Sequence, residues 1–141
     1  GNQSNADWSW TASEILAIEA DVVSPCALGA ILDSQTIPLI KASVIAGGAN
    51  NQLARPEHGG KLAGRGILYA PDYVINAGGI ISVATEYLAR REGRLGDVAE
   101  VNALVEKIPG RLEAIWHDSD STGVSADVVA DRMAQKLIGR G

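Results

Sequence analysis

The chain holds one cysteine, Cys26, so it closes no internal disulfide, and a reducing, cytoplasmic setting is expected. Histidine is equally scarce. His58 and His117 stand alone, neither with a second His or a Cys at ligand spacing, and no metal site is expected. Basic residues are outnumbered, 12 Lys and Arg against 17 Asp and Glu, which leaves a net charge of −5 and no basic face for a nucleic acid. No apolar run reaches the ~20 residues that span a bilayer, and no basic stretch leads into an apolar one, so neither a membrane nor a signal peptide is expected. Gly and Pro, 16 and 5 of 141 residues, are too few for a collagen-like chain. What remains, 46% hydrophobic and 21% charged residues, is a globular composition at the length of one domain. Residues 1–6, small and polar, read as a cloning scar and are set aside from the fold.

The first half alternates strand with helix. Thr11 and Glu14 make a capping box that opens a short helix over residues 13–18. Residues 20–23, 42–46 and 66–70 are short apolar runs that read as strands, ended by Ser24-Pro25, Gly47-Gly48 and Pro71. A helical turn or two over 34–41, and a helix over 52–65 broken by Pro56 and two glycine pauses, separate them. This alternation predicts an α/β fold of about three parallel strands covered on both faces. The second half is helical. Ile80, Val83, Ala84, Tyr87 and Leu88 fall at helical spacing over 76–91. Asp97 caps a helix carrying Val98, Val101, Leu104, Val105 and Ile108, which Pro109 and Gly110 interrupt before Leu112, Ile115 and Trp116 continue its apolar face. Ser125 or Asp127 opens a last helix with Val128, Val129, Met133 and Leu137 on one face.

Parallel α/β sheets bind ligands at the carboxyl ends of their strands. Three segments stand there: residues 24–29, 46–53 and 70–79, all rich in small residues or amides. Small residues let a flat ligand lie against backbone, and an Asn offers donors and an acceptor together. Each feature also has a plain structural reading. Asn50 and Asn51 after two glycines can be a turn, Cys26 a small buried hydrophobe, and Asp72 turn chemistry after Pro71. His58 and His117 read as surface or capping residues, and Arg90-Arg91-Glu92 as a solvated helix end. Known nucleotide motifs fail. Gly59 and Gly64 have the outer spacing of a phosphate loop, but Arg65-Gly66 follows instead of Lys-Ser/Thr, and Gly64-Arg-Gly66 lacks the third glycine of a dinucleotide fingerprint. No Gly-x-Ser-x-Gly nucleophile motif occurs.

Taken together the three segments resemble one family. Asp21-Val-Val-Ser-Pro-Cys-Ala-Leu-Gly29, Val44-Ile-Ala-Gly-Gly-Ala-Asn-Asn-Gln-Leu53 and Arg65-Gly-Ile-Leu-Tyr-Ala-Pro-Asp-Tyr-Val-Ile-Asn-Ala-Gly-Gly79 are similar, in order, to successive strands and loops of the amino-acid dehydrogenases acting on glutamate, leucine, phenylalanine and valine, the leucine-like members most closely. The likeness is tight over residues 15–86 and looser to the C-terminus. It implies a partial Rossmann-like fold, half of a doubly wound parallel sheet followed by C-terminal helices. Residues 7–93 would be the second half of the NAD-binding domain with its return helix, and 94–141 a C-terminal helical segment. The implied chemistry is oxidative deamination. A hydride passes from the α-carbon of an amino acid to NAD, and the imino acid is hydrolysed to a 2-oxo acid.

By matched position, Cys26, Ala27, Ala49 and Asn50 would face the cofactor, Asn51 the substrate carboxylate, and Ile80 and Val83 an aliphatic side chain. Asn76 would support them from behind. Ser82 departs from the family's usual Asn. The family's catalytic lysines, its acidic partner and its glycine fingerprint have no counterpart here, so the polypeptide is expected to be a fragment, inactive alone, with no catalytic residue of its own and only part of an NAD site. Half a parallel sheet also exposes a strand edge, and self-association through it is expected. The alternative is a stand-alone nucleotide-binding module, or a protein-interaction or oligomerisation module, derived from the same fold.

Overall fold

The computed structural model describes residues 10–139, so the scar expected at 1–6 lies outside the described residues. Helix α1 (Ala12–Leu16) starts as its capping box requires. Thr11 Oγ1 accepts the Glu14 amide at 3.2 Å, and the Glu14 carboxylate accepts the Thr11 amide at 2.8 Å, which holds that carboxyl below its ordinary range. Strands β1 (Val22–Val23), β2 (Val44–Ile45) and β3 (Leu68–Tyr69) are parallel and ordered β1-β2-β3. Val22 pairs with Val44 and Val44 with Leu68; Val23 pairs with Ile45 and Ile45 with Tyr69. The ladder runs a residue further, through Ala46 and Ala70 amides donated to the Val23 and Ile45 carbonyls at 3.0 and 2.9 Å.

A short 3-10 turn, Ile37–Leu39, links β1 to β2 where one or two helical turns are expected. Asp33 prepares it by accepting the Gln35 and Thr36 amides, both at 2.8 Å. The Arg65 guanidinium finishes it by donating to the Ile37 and Ile40 carbonyls. Helix α2 (Glu57–Gly64) links β2 to β3, and its glycines do not break it. Pro56 stands at its N-cap, where a missing N–H costs nothing. Gly59 is there for packing: a Cβ would strike the Asp127 carboxylate of the last helix.

The expected two-sided sheet is one-sided. Val23, Ile45 and Tyr69 face a core with Leu16, Leu32, Ile37, Ile40 and Leu62. Val44 and Leu68 on the other face stay half-buried, and Val22 is 51% exposed. The reason is that α1, the 3-10 turn and α2 all send side chains into the same inner cluster. The two sheet edges also differ. At β3 the Trp116 indole N–H donates to the outward Tyr69 carbonyl at 2.9 Å. At β1 the Asp21 and Val23 carbonyls serve β2, so the Val22 peptide groups point outward, with no backbone partner among the described residues.

After β3 come α3 (Asp72–Ile75), α4 (Gly78–Arg91), α5 (Val98–Val105), α6 (Ile108–Thr122) and α7 (Ala126–Leu137). The helix expected over 76–91 is α4, starting two residues later, and a short helix not expected from the sequence, α3, precedes it across Asn76 and Ala77. Val74, Ile115, Ala126, Val129 and Ala130 form a second core between α3, α6 and α7. Pro109 lies in the first turn of α6, so the predicted interruption is a junction of two helices, and Ile108 belongs to the second. Ser125 stands at the N-cap of α7 without a side-chain capping bond, while Leu137, expected on its buried face, is exposed. Helix α4 packs through small residues: Thr85 and Ala89 are buried, and the larger Ile80, Val83, Tyr87 and Leu88 face outward. The Arg90-Arg91-Glu92 end is solvated as expected. Among the described residues no helix is long and apolar enough to cross a membrane, and no group of three His, Cys, Asp or Glu could hold a metal ion.

Candidate cofactor and substrate rim

The three loops at the carboxyl ends of the strands are bound to one another. Pro25, just past β1, lies so close to Gly47, just past β2, that a Cβ on Gly47 would collide with the Pro25 backbone oxygen and nitrogen. The Ala49 amide then donates to the Pro25 carbonyl at 2.8 Å. Further along, the Ala30 amide donates to the Asn51 carbonyl at 2.6 Å, and Leu32 bridges Leu53 in parallel register. Gln52, fully buried, braces this turn from beneath: its Nε2 donates to the Gly47 and Ala49 carbonyls at 2.6 and 3.0 Å. Sequence reasoning missed Gln52, because a polar residue after Asn-Asn looks like any other loop amide.

Gly48 is the hub of the exposed rim. Asn76 Nδ2 donates to Asn50 Oδ1 at 2.6 Å and lies 3.4 Å from the Gly48 carbonyl. On the other side the Cys26 thiol lies 3.3 Å from the Ser24 hydroxyl and also meets the Gly48 backbone. Ser24 first, and Gly48 second, lower the pKa of that thiol from its ordinary value. Cys26 is exposed, which overturns the reading of it as a small buried hydrophobe. Ala27 follows it, also exposed, whereas Ala49 is buried and backs the turn from within. Cys26, Asn50 and Asn76 are therefore gathered along one edge of the molecule.

Asn51 is held separately. Its backbone is left-handed, φ 53°, its amide donates to Asp72 Oδ2 at 2.6 Å, and Tyr69 Oη donates to Asp72 Oδ1 at 3.2 Å. Burial raises the Tyr69 phenol above its ordinary pKa, and the Asp72 charge adds to it. Asp72 thus does more than local turn chemistry. Ile80 and Val83 sit in the first two turns of α4, 68% and 63% exposed. No hydrogen bond ties them to Asn51; α4 joins the rim through Asn76. His58 is buried rather than on the surface, although it does cap: Nδ1 accepts the Arg55 amide at 3.1 Å, leaving Nε2–H for the Ser34 hydroxyl at 3.1 Å. His117 is exposed.

Two polar groups stay open on this rim. Asn50 Oδ1 and Asn76 Nδ2 satisfy each other, which leaves an Asn50 donor and an Asn76 acceptor on the same linked pair with no side-chain partner among the described residues. That pair complements a carboxamide, which carries one acceptor and one donor of its own.

A three-stranded parallel sheet with amide-bearing loops at its carboxyl ends defines half of a doubly wound α/β ligand-binding fold. The sequence profile of the Glutamate/Leucine/Phenylalanine/Valine dehydrogenases matches residues 2–139, and the chain belongs to that family. It is 44% identical over 127 residues to leucine dehydrogenase of Geobacillus stearothermophilus, covering 89% of this chain and 33% of that protein. Leucine dehydrogenase of Bacillus cereus is 46% identical over the same length and share. The crystal structure of L-tryptophan dehydrogenase from Nostoc punctiforme superimposes with a TM-score of 0.80 at 44% identity, covering 90% of this chain and 36% of that one. The chain spans about a third of the length of the curated relatives it matches.

Proposed function

We propose that this polypeptide is the nicotinamide-side wall of an NAD-dependent amino-acid dehydrogenase of leucine-like specificity. On this reading residues 7–93 are the second half of the NAD-binding domain and 94–141 its C-terminal helical segment. The observation that carries the reading is the Asn50–Asn76 pair over Gly48, with a free donor and a free acceptor matched to a nicotinamide carboxamide. The group fits in other respects: Gly48 is exposed with nothing near its missing Cβ, so a flat ring can lie against backbone. Cys26 and Ala27 would meet the nicotinamide and ribose, with Ala49 backing the turn. Asn51 would face the substrate carboxylate, and Ile80 and Val83 a branched aliphatic side chain. NAD, when bound, supplies the hydride acceptor for oxidation of the amino acid to a 2-oxo acid.

The rim carries no lysine, histidine or unengaged carboxylate; its one titratable thiol, Cys26, lies at the cofactor end of the reading, away from Asn51 and the substrate. The Asp72 carboxylate is already engaged by two donors, one of them the Tyr69 hydroxyl, and the remaining side chains are amides, alkyl groups and the paired Ser24 hydroxyl and Cys26 thiol. General acid–base catalysis needs a proton donor or acceptor within hydrogen-bond reach of the reacting atom. The polypeptide alone is therefore inactive, and the open β1 edge drives it to self-associate.

Titration with nicotinamide mononucleotide, followed by amide chemical shifts, tests the reading. Signals of Gly48, Asn50 and Asn76 move first, and Asn50→Ala abolishes the response. A response spread over other faces, or unchanged in Asn50→Ala, overturns the reading. So does formation of NADH above a blank when the chain alone is mixed with NAD and leucine.

A further inference from the structure

We propose that Asp72 is the positioning residue of the rim: its carboxylate fixes the left-handed backbone of Asn51 and thereby sets where the Asn50 and Asn51 side chains point. This rests on the reading of the rim as a nicotinamide and substrate wall. Asn51 carries φ 53°, a conformation that L-residues other than Asn, Asp and Gly seldom adopt. Even for Asn such a backbone is a minority conformation, and its surroundings select it. Here the two sides of one residue are clamped. The Asn51 amide donates to Asp72 Oδ2 at 2.6 Å, and its carbonyl accepts the Ala30 amide at 2.6 Å. Ala30 is itself left-handed, φ 57°, so the β1 and β2 loops meet strain to strain and are locked across a single peptide pair.

Asp72 comes from a third segment, at the start of α3, 21 residues on from Asn51. Buried Pro71 precedes it, and Tyr69 Oη donates to its other oxygen at 3.2 Å, so the carboxylate is itself held in place. A bond to an ionised acceptor is shorter and stronger than a neutral one. The same short segment carries Asn76, which holds Asn50. Both members of the Asn-Asn pair are thus aimed by the α3 region, one through a backbone amide and one through a side chain. Neighbouring acids do not substitute for Asp72: Asp127 and Asp131 group around Tyr73, whose hydroxyl donates to the Asp127 carbonyl at 3.2 Å.

The test compares Asp72→Ala, Asp72→Asn and Tyr69→Phe in this chain by amide hydrogen exchange and proton–nitrogen correlation spectra. Asp72→Ala speeds exchange of the Asn51 amide by about tenfold or more, the size of one lost charge-assisted bond, while the Ile45 and Ala70 amides of the sheet keep their protection. Asp72→Asn, which keeps an acceptor oxygen without the charge, restores part of it. Tyr69→Phe, which leaves the Asn51 bond in place, changes it least. Unchanged Asn51 exchange in Asp72→Ala overturns the proposal. Equal loss of protection across the sheet in Asp72→Ala and Asp72→Asn also overturns it, since a purely structural role predicts that pattern. Titration with nicotinamide mononucleotide separates the two readings. If Asn51 exchange follows the series but the ligand moves no rim signal in the parent chain, positioning stands and the nicotinamide wall falls. If the ligand binds the parent, Asp72→Ala weakens it and Asp72→Asn recovers it in part; equal affinity in all three overturns the positioning role.

Discussion

Replacing Gln52 with Leu sets two opposed effects against each other. Gln52 is fully buried, and its Nε2 satisfies the Gly47 and Ala49 carbonyls, both in buried residues. Stranding a buried acceptor costs roughly 1–3 kcal/mol, so losing both costs about 2–6 kcal/mol. Against this, Gln52 Oε1 has no partner among the described residues, and deleting it returns about 1–3 kcal/mol. The two carbonyls outweigh the one orphan oxygen, so Gln52→Leu destabilises by about 1–3 kcal/mol. In urea, with a slope of about 1–3 kcal/mol per molar, the midpoint falls by roughly 1 M at fixed protein concentration. Gln52→Glu fares worse than Leu: it donates to neither carbonyl and brings a carboxylate against both. A Leu variant with an unchanged or higher midpoint would show that the orphan oxygen dominates, and the bracing argument would fail. A Glu variant as stable as the parent would show that the amide nitrogen does not face those carbonyls at all.

Trp116→Phe keeps the aromatic bulk in the second core but strands the Tyr69 carbonyl on the β3 edge. It lowers the urea midpoint by the equivalent of about 1–3 kcal/mol; an unchanged midpoint would refute the capping role of the indole. Val22→Lys places a charge on the open β1 edge. Sedimentation shows a shift toward monomer at unchanged stability, because Val22 is already 51% exposed; self-association equal to the parent's rejects that edge as the interface. Stability also falls at alkaline pH, modestly for Tyr73 because solvent screens its half-exposed ring. Burial, then Asp131, Asp127 and Asp72, push the Tyr73 phenol up to about 12. Unfolded tyrosine ionises near 10. The folded state thus holds the proton more tightly, and the associated stability, complete below about pH 10, is lost as pH rises through about 12. Tyr69, raised likewise, keeps its own loss over that window, so urea midpoints measured against pH fall less in Tyr73→Phe than in the parent; a parallel pH profile refutes the assignment.

Much of the fold was legible because its signals are local. The capping box at Thr11 and Glu14, the three apolar strand centres and the helix junction at Pro109 all follow from neighbouring residues. Long-range consequences were not legible. Helical spacing correctly groups Ile80, Val83 and Tyr87 on α4, yet periodicity cannot say which face is buried, and packing went to Thr85 and Ala89 instead. Gly59 reads as a helix breaker until Asp127, far along the chain, is brought against it. At the rim, residue types pointed to three loops that the fold binds to one another at the carboxyl end of the sheet. The roles of Asp72 and Gln52 depend on partners that only the fold brings together, a carboxylate 21 residues from its amide and a buried side chain folded back on its own turn.

The distribution of strain discriminates among the readings of the chain. The non-glycine residues with positive φ among those described, Ala30 and Asn51, are hydrogen-bonded to each other at the carboxyl end of the sheet. Each left-handed residue costs about 1–2 kcal/mol, less where an Asn side chain tolerates it. A buried amide with an orphan oxygen lies beneath the same turn and adds a further cost. A module selected only to oligomerise gains nothing from such a turn, since its adhesive surface is the β1 edge and neither Ala30 nor Asn51 lies in a sheet strand. A dedicated nucleotide-binding module would need the turn but not the outward apolar stripe of Ile80, Val83 and Tyr87 on the helix that follows it. A cleft wall that aims amides at a cofactor and presents alkyl groups to a neighbouring substrate requires both features together. On the proposed reading, strain stored at the rim and apolar surface left on α4 are two parts of one design rather than two defects.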